Sequence, residues 1–329
     1  LEWVYAKRAE GFGQMSNLPA ALRAELAGAF AFHVLDPVRV LGSADTTRKY
    51  LFRLEDGALI ESVLIPASPA LYGEPSDRRT LCVSTQVGCA YGCKFCASGL
   101  DGWSRNLSAG EIVGQILRVE ALSEERVSNL VFMGMGEPLA NFENLQQALE
   151  ILNGGWGVGI GARRITISTS GLAPQIKRLA DTPLQVRLAI SLHGATNDVR
   201  QQIMPVNRKY PLEELLEACA YHASRKKQRI TFEYILIEGI NDRREDAMAL
   251  VEVANRIKAK VNCIPYNTVE GLPWKRPAEE RLDAFMAVLE RANIPATIRR
   301  EKGHDIAAAC GQLRRQTLGS APERAPAAG

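Results

Sequence analysis

Six short runs rich in branched apolar residues, Leu81–Val87, Asn129–Met133, Arg164–Ser168, Val186–Leu192, Ile230–Ile237 and Lys260–Ile264, are separated by segments with helical spacing. Regular alternation of strand and helix predicts a parallel sheet, because parallel neighbours need a crossover long enough to hold a helix. Within the runs the chemistry alternates as well. Leu81, Val83 and Val87 alternate with Cys82, Ser84 and Gln86; Ile165 and Ile167 with Arg164, Thr166 and Ser168; Val186, Leu188 and Ile190 with Arg187, Ala189, Ser191 and His193. A side-chain period of two puts each set on its own face. Helices must cover the apolar face, so the polar face should line a lumen holding a ligand or water. A closed barrel filled with bulky branched side chains does not fit that pattern. The expectation is an α/β fold, an incomplete (β/α)6 barrel with a wet interior; the alternative is a doubly wound sheet whose polar positions lie at strand ends.

The flanking regions read differently. Residues 1–37 form a small helical region, with Leu18, Leu22, Leu26 and Phe30 recurring at intervals of four. Residues 38–79 hold a β-hairpin and a linker. The hairpin strands are Tyr50-Leu51-Phe52 and Leu59-Ile60 with Val63-Leu64-Ile65, around the turn signal Asp56-Gly57, and the linker runs from Pro66 to Arg79. The barrel is expected over 80–303, a short segment around Cys310 over 304–319, and a disordered alanine- and proline-rich tail over 320–329. Ser108-x-x-Glu111 is a capping box. Pro211 opens a helix with the face Leu212, Leu215, Leu216 and Cys219, and Leu282, Phe285, Met286 and Leu289 mark the last helix.

A chain of 329 residues, 46% hydrophobic and 23% charged, suits a globular α/β domain with an appendage. It has no run of eighteen apolar residues and no charged-then-apolar leader, so no membrane association is expected and the cytoplasm is the expected compartment. The seven cysteines form no even framework of disulfides. A net charge of +3 does not announce a nucleic-acid binder, so that argument rests on local clusters.

Three of the cysteines, Cys89, Cys93 and Cys96, stand in the spacing C-x3-C-x2-C with no fourth nearby. Structural zinc sites and electron-transfer iron–sulfur clusters normally take four protein ligands. Three thiolates on one loop suit a four-iron cluster with one iron left open; a zinc site completed from elsewhere and three incidental cysteines are the alternatives. The loop follows the first strand, at the end where βα-barrel active sites collect. After the second strand, Gly134-Met135-Gly136-Glu137-Pro138 lets a ligand approach the backbone and offers the Glu137 carboxylate to an ammonium, although a plain turn explains it too. Cys82 has lumen parity, and Cys310 sits in an apolar turn closed by Gly311. Each also reads as a small buried hydrophobe. Cys219 and Cys263 read as core.

The cysteine loop with Phe95 before its third cysteine resembles the radical-SAM signature. Together with Cys82 to Cys89, Met133 to Pro138, Ser168 to Gly171, Ser191-Leu192-His193, Pro265-Tyr266-Asn267 and Ala309 to Leu313, it makes nearly the whole chain similar to the RlmN/Cfr family of radical-SAM RNA (adenine) methyltransferases. The resemblance implies a 4Fe-4S cluster on Cys89, Cys93 and Cys96, and S-adenosylmethionine lined by Gly136, Glu137, Ser168, Ser191, Leu192, His193 and Asn267. It implies that Cys310 is methylated, that a second S-adenosylmethionine is cleaved reductively, and that the S-methyl group loses hydrogen and adds to adenine. Cys82 then resolves the adduct through a disulfide with Cys310, and Glu61 matches a proposed proton acceptor, against the rival reading of a solvated hairpin carboxylate. His193 also reads as a satisfied core histidine. The implied partners are 23S ribosomal RNA and transfer RNA, bound in part by the N-terminal region, and a low-potential electron donor such as flavodoxin, with the protein a monomer. RNA contact is expected at Arg163-Arg164, Arg208-Lys209, Arg225-Lys226-Lys227 with Arg229, Arg299-Arg300 with Lys302, and Arg314-Arg315, each of which a solvated face would also explain. Adenine-C2 methylation is the leading reading. Methylation of carbon 8, conferring antibiotic resistance, a radical-SAM enzyme that does not act on RNA, and a non-catalytic metal- or redox-sensing RNA-binding protein are the others.

Overall fold

The computed structural model describes the chain except residues 33, 44, 68–76, 101, 270, 300–313, 315–316 and 318–329. Cys310, most of the 304–319 segment and the 320–329 tail therefore lie outside the described residues.

The chain opens with α1 (Glu2–Tyr5) and α2 (Ala20–Ala29), neither of which buries a residue. Leu22 and Leu26 of the expected apolar stripe fall in α2, with Leu18 before it and Phe30 after it, but the stripe is not buried: Leu22 is 38% and Phe30 63% exposed. The region is tied to the body by polar contacts, an Arg8–Glu120 ion pair and a bond from Arg126 Nη2 to the Ala6 carbonyl at 2.7 Å.

Next come β1 (Asp36–Gly42), β2 (Arg48–Arg53) and β3 (Leu59–Pro66), an antiparallel meander. The expected hairpin is β2 and β3; Gly57 takes φ 82° in its turn, and the Asp56 carboxylate accepts from the Ala58 N–H at 3.0 Å. β1 adds an edge strand that periodicity did not signal, because nearly all of its residues are exposed. β3 pairs antiparallel with β4 (Arg79–Cys82), so the meander continues into the main sheet.

The expected run Leu81–Val87 breaks in two. After β4 the chain leaves the ladder, and the N–H groups of Thr85 and Gln86 both turn to the Met135 carbonyl at 2.9 and 3.2 Å. It then forms β5 (Gln86–Gly88), which pairs with β6 (Trp103–Asn106) and brackets the cysteine loop. From there helix and strand alternate: α3 (Ala109–Ser123), β7 (Asn129–Phe132), α4 (Phe142–Asn153), β8 (Ile165–Thr169), α5 (Ala173–Asp181), β9 (Arg187–Ser191), α6 (Asn197–Ile203), α7 (Leu212–Lys226), β10 (Thr231–Leu236), α8 (Arg244–Ile257), β11 (Lys260–Pro265), α9 (Glu279–Arg291) and β12 (Ala296–Ile298). The Ser108/Glu111 capping box opens α3, and α7 buries Leu212, Leu215, Leu216 and Cys219 as expected.

The strands form one ten-stranded sheet, ordered β1-β2-β3-β4-β7-β8-β9-β10-β11-β12 and parallel from β4 onward. The six expected parallel strands are present, with short β12 added at the edge. Among the described residues β1 and β12 do not pair, so the barrel is incomplete. Leu130, Phe132, Ile165, Ile167, Leu188, Ile190, Phe232, Tyr234 and Val261 lie buried under the helices. The opposite face is polar: Glu233 stands in register with Ser191 and Asn262, and Asn262 Nδ2 donates to Glu233 at 2.6 Å. No helix among the described residues is long and apolar enough to cross a membrane.

Candidate active site

The cysteine loop is gripped by its backbone. Gly88 has φ +77°, and a Cβ there would stand 2.0 Å from the Gly102 carbonyl oxygen, so only glycine fits where the loop begins. Cys89 N–H donates to that oxygen at 2.9 Å, Lys94 N–H to Ile203 O at 2.9 Å, and Trp274 Nε1 to Lys94 O at 3.1 Å. Cys89, Cys93 and Cys96 are half-buried. Burial, with lesser repulsion from neighbouring thiolates, pushes the Cys89 thiol up to about 12 and the Cys93 thiol well above its usual range. Among the described residues no three His, Cys, Asp or Glu side chains are already gathered to hold a metal ion. The donor set nevertheless fits an iron–sulfur cluster, since soft thiols supply every ligand in the loop and a metal's positive charge would favour their thiolate forms.

The glycine segment lies against the chain leaving β4. A Cβ at Gly134 would stand 2.7 Å from the Val83 carbonyl, and one at Gly136, φ +96°, would stand 2.4 Å from Gln86 Cβ. Glu137 is 3% exposed and its carboxylate accepts from the Leu139 and Ser170 N–H groups at 3.0 and 2.7 Å. Burial raises its pKa, and these bonds pull it back. Ser168 and Ser191, at the ends of adjacent strands, bring their hydroxyls to 3.4 Å. Leu192 is fully buried. His193 has φ 54°, its Nδ1 accepts from Ile235 N–H at 3.0 Å, and its ring meets Phe95 edge-on at 4.8 Å. Burial first, and the Arg200 charge second, lower its pKa to about 3, so the ring is neutral near pH 7 with its proton on Nε2. The histidine is buried, as its core reading expects, and its ring packs on Phe95 of the cluster loop. Asn267 Oδ1 is buried without a hydrogen-bond partner among the described residues, an acceptor that a polar ligand would satisfy.

Cys82 is 6% exposed and sits on β4 opposite Val63 of β3. On the same face Glu61 is 2% exposed, which corrects its reading as a solvated hairpin carboxylate. It pairs with Lys49 at 2.9 Å and accepts from the Arg314 N–H at 2.6 Å. Cys310 itself lies outside the described residues, so the structure does not bear on its contact with Cys82.

Two residues escaped the sequence reading. Arg200, fully buried, donates from Nη1 to the Ser191 and Leu192 carbonyls at 3.0 and 2.7 Å and from Nη2 to Ser170 O, locking the ends of β8 and β9 together. Burial lowers its pKa to about 10, opposed by Cys93 and Cys219. An arginine satisfied by carbonyls leaves no sequence signal. Lys49 did leave one, its parity with Glu61 on a two-strand hairpin. Of the expected RNA contacts, Lys226 is corrected: it is 5% exposed, its ammonium bonded to the Thr182 and Leu184 carbonyls. Arg163, Arg164, Arg208, Lys209, Arg225, Lys227, Arg229 and Arg299 are exposed.

The family model described as "Radical SAM superfamily" matches residues 83–251. A protein of Akkermansia muciniphila named "Probable dual-specificity RNA methyltransferase RlmN" is 60% identical over 95% of this chain and 88% of its own length. The chain belongs to the RlmN family of the radical SAM superfamily. A second relative, "Probable dual-specificity RNA methyltransferase RlmN 3" of Opitutus terrae, is 53% identical over 96% of this chain and 87% of its own. The crystal structure of a radical SAM methyltransferase from Sphaerobacter thermophilus superposes with a TM-score of 0.89 at 44% identity, over 94% of this chain and 90% of that one. Radical SAM proteins take a four-iron cluster and S-adenosylmethionine, the two ligands for which the loop and the lumen offer donors.

Proposed function

We propose that this chain is a radical-SAM methyltransferase that methylates carbon 2 of adenine in 23S ribosomal RNA and in transfer RNA. The observation that carries the proposal is the meeting of two segments on one sheet face. Cys82 faces the lumen from β4, and the N–H of Arg314, four residues beyond Cys310, is bonded to Glu61 on the adjacent β3. This contact supports a reading in which the segment that follows Cys310 in the chain works on the face carrying Cys82.

When bound, a cluster and S-adenosylmethionine supply the radical chemistry that an unreactive aromatic carbon requires. In this reading Cys89, Cys93 and Cys96 hold the cluster. Gly136 gives the methionyl group room, Glu137 receives its ammonium, and Ser168, Ser191, Leu192, His193 and Asn267 line the rest. Cys310 carries the methyl group to the base, Cys82 takes the proton from carbon 2, and a Cys82–Cys310 disulfide releases the RNA. Glu61, bonded to Lys49 and to the Arg314 N–H, is suited to hold the segment, and in this reading it is also the candidate proton acceptor. The target adenine must be unpaired or flipped out to enter, and the exposed arginines and lysines provide phosphate contacts. A low-potential donor such as flavodoxin would supply electrons to a monomer working in the cytoplasm.

The test is anaerobic incubation of reconstituted protein with reductant, S-adenosylmethionine and transcripts of both RNAs, followed by nucleoside mass spectrometry. The proposal expects 2-methyladenosine in both. The 8-methyl isomer would replace it with the carbon-8 activity, and an unmodified product with an intact cluster would overturn RNA methylation.

A further inference from the structure

We propose that Arg200 is a positioning residue whose charge tunes the cluster: a buried guanidinium without a carboxylate partner stands beside the cysteine loop and favours the electron that reduction adds. The inference rests on the reading that Cys89, Cys93 and Cys96 hold that cluster.

Arg200 lies on α6 and is fully buried. Among the described residues its guanidinium meets only neutral groups. Nη1 donates to the Ser191 and Leu192 carbonyls at 3.0 and 2.7 Å and stands 3.3 Å from Met204 Sδ, and Nη2 donates to the Ser170 carbonyl. Nε is buried with no hydrogen-bond partner among the described residues. The acidic groups that act on it are the Cys93 and Cys219 thiols, and no carboxylate is among them.

The cysteine loop is attached on both sides of this charge. The N–H of Lys94, next to Cys93, donates at 2.9 Å to the carbonyl of Ile203, which ends the helix that carries Arg200. On the other side the Phe95 ring meets His193 at 4.8 Å, and His193 directly follows Leu192, whose carbonyl Arg200 holds. One side chain therefore ties the ends of β8 and β9 to the helix that supports the loop.

Burying a cation with no counterion is costly. A glutamine amide could donate to the same carbonyls without that cost, so the clamp alone does not call for an arginine. What an amide cannot supply is charge. The guanidinium keeps its charge at neutral pH, since its pKa stands at about 10. A four-iron core held by thiolates is an anion that becomes more negative on reduction. One electron passes to it from a low-potential donor, which is oxidised, and no bond or proton moves. A fixed cation nearby stabilises the reduced form more than the oxidised one. A unit charge about 12 Å away, screened as in a protein interior, shifts such an equilibrium about tenfold. For one electron, tenfold is about 59 mV.

The test is an anaerobic redox titration of the cluster-loaded protein at pH 7, without S-adenosylmethionine or RNA. Dithionite and viologen mediators set the potential, and electron paramagnetic resonance counts the reduced cluster. Wild type is compared with Arg200→Lys, Arg200→Gln and Arg200→Met; all three variants lose the guanidinium fork, but only the last two lose the charge. Glutamine and methionine differ in polarity, so one neutral chain remains where the other does not fold, and circular dichroism checks each. Both neutral chains should need a potential lower by about 59 mV or more to reach half reduction, while Arg200→Lys stays near wild type. A folded neutral chain at the wild-type potential would overturn the inference, as would a lysine chain shifted as far as the neutral ones. A wild-type chain that takes up no four-iron cluster would overturn it together with the ligand reading. The titration needs no turnover, so a charge-dependent potential in a chain that methylates no RNA would keep this inference and remove the proposed function.

Discussion

Gly136→Ala perturbs the ligand site at a single carbon. The residue has φ +96°, and the added Cβ would stand 2.4 Å from Gln86 Cβ and 2.7 Å from its Cγ. An L-residue forced to positive φ costs about 1–2 kcal/mol. Gln86 must also move, and its side chain makes two bonds that the movement breaks. It accepts the Glu137 N–H and donates to Asn106 Oδ1, both at 2.8 Å. At about 1 kcal/mol net for each, the total loss is about 3–4 kcal/mol. Thermal unfolding of a chain this long carries an entropy of roughly 0.7 kcal/mol per kelvin, so the melting point should fall by about 5 °C. Circular dichroism measures the shift, and calorimetric titration with S-adenosylmethionine measures the site, where the displaced Glu137 backbone should weaken binding. Gly155→Ala is the control, because a Cβ there meets nothing within 4 Å. Equal melting points for the two variants would show that a side chain at Gly136 is tolerated.

Acid should destabilise the fold through its buried histidines. Burial, aided by Lys226, holds His222 at about 4, and His193 stands at about 3, both below the ordinary 6.5. Between those values the unfolded chain binds protons that the folded chain does not, so stability is full above pH 6.5 and declines below it; each group forfeits about 1.4 kcal/mol between pH 7.5 and 5.5. Neither ring nitrogen of His222 has a hydrogen-bond partner among the described residues, so His222→Leu should remove one such loss and flatten the urea-denaturation pH profile by that amount; an unchanged slope would count against it. Cys93→Ala should leave the far-ultraviolet spectrum intact while iron falls from about four per chain to near zero, as loss of a cluster ligand requires. Retained iron would reassign the ligands.

The barrel was legible because its strands carry both a period and a chemistry. Ile165-Thr166-Ile167-Ser168 announces a strand, its helix-covered face and its lumen face at once. β1 was not legible, since an exposed edge strand has no buried face to impose alternation. The break after Cys82 is set by the Met135 carbonyl, fifty residues away in the chain, and no local pattern encodes such a bond. The cysteine loop and glycine segment could be read because their spacing is itself the constraint. Glu61 could not be decided from sequence because its environment depends on Lys49 across the hairpin and on Arg314 from the other end of the chain. Arg200 was invisible for a related reason, as its partners are backbone carbonyls at two strand ends. On α2 the helical period was legible, yet the helix buries no residue.

In the proposed reaction the methyl group reaches adenine as a methylene carried on Cys310 and is released through Cys82. Methyl-deuterated S-adenosylmethionine tests it directly in the anaerobic reaction with transfer RNA. The expected product is 2-methyladenosine whose new methyl group retains two deuteriums, because in this route one is removed while the carbon is bound to sulfur. A product retaining all three would mean transfer of an intact methyl group and would rule out the methylene route.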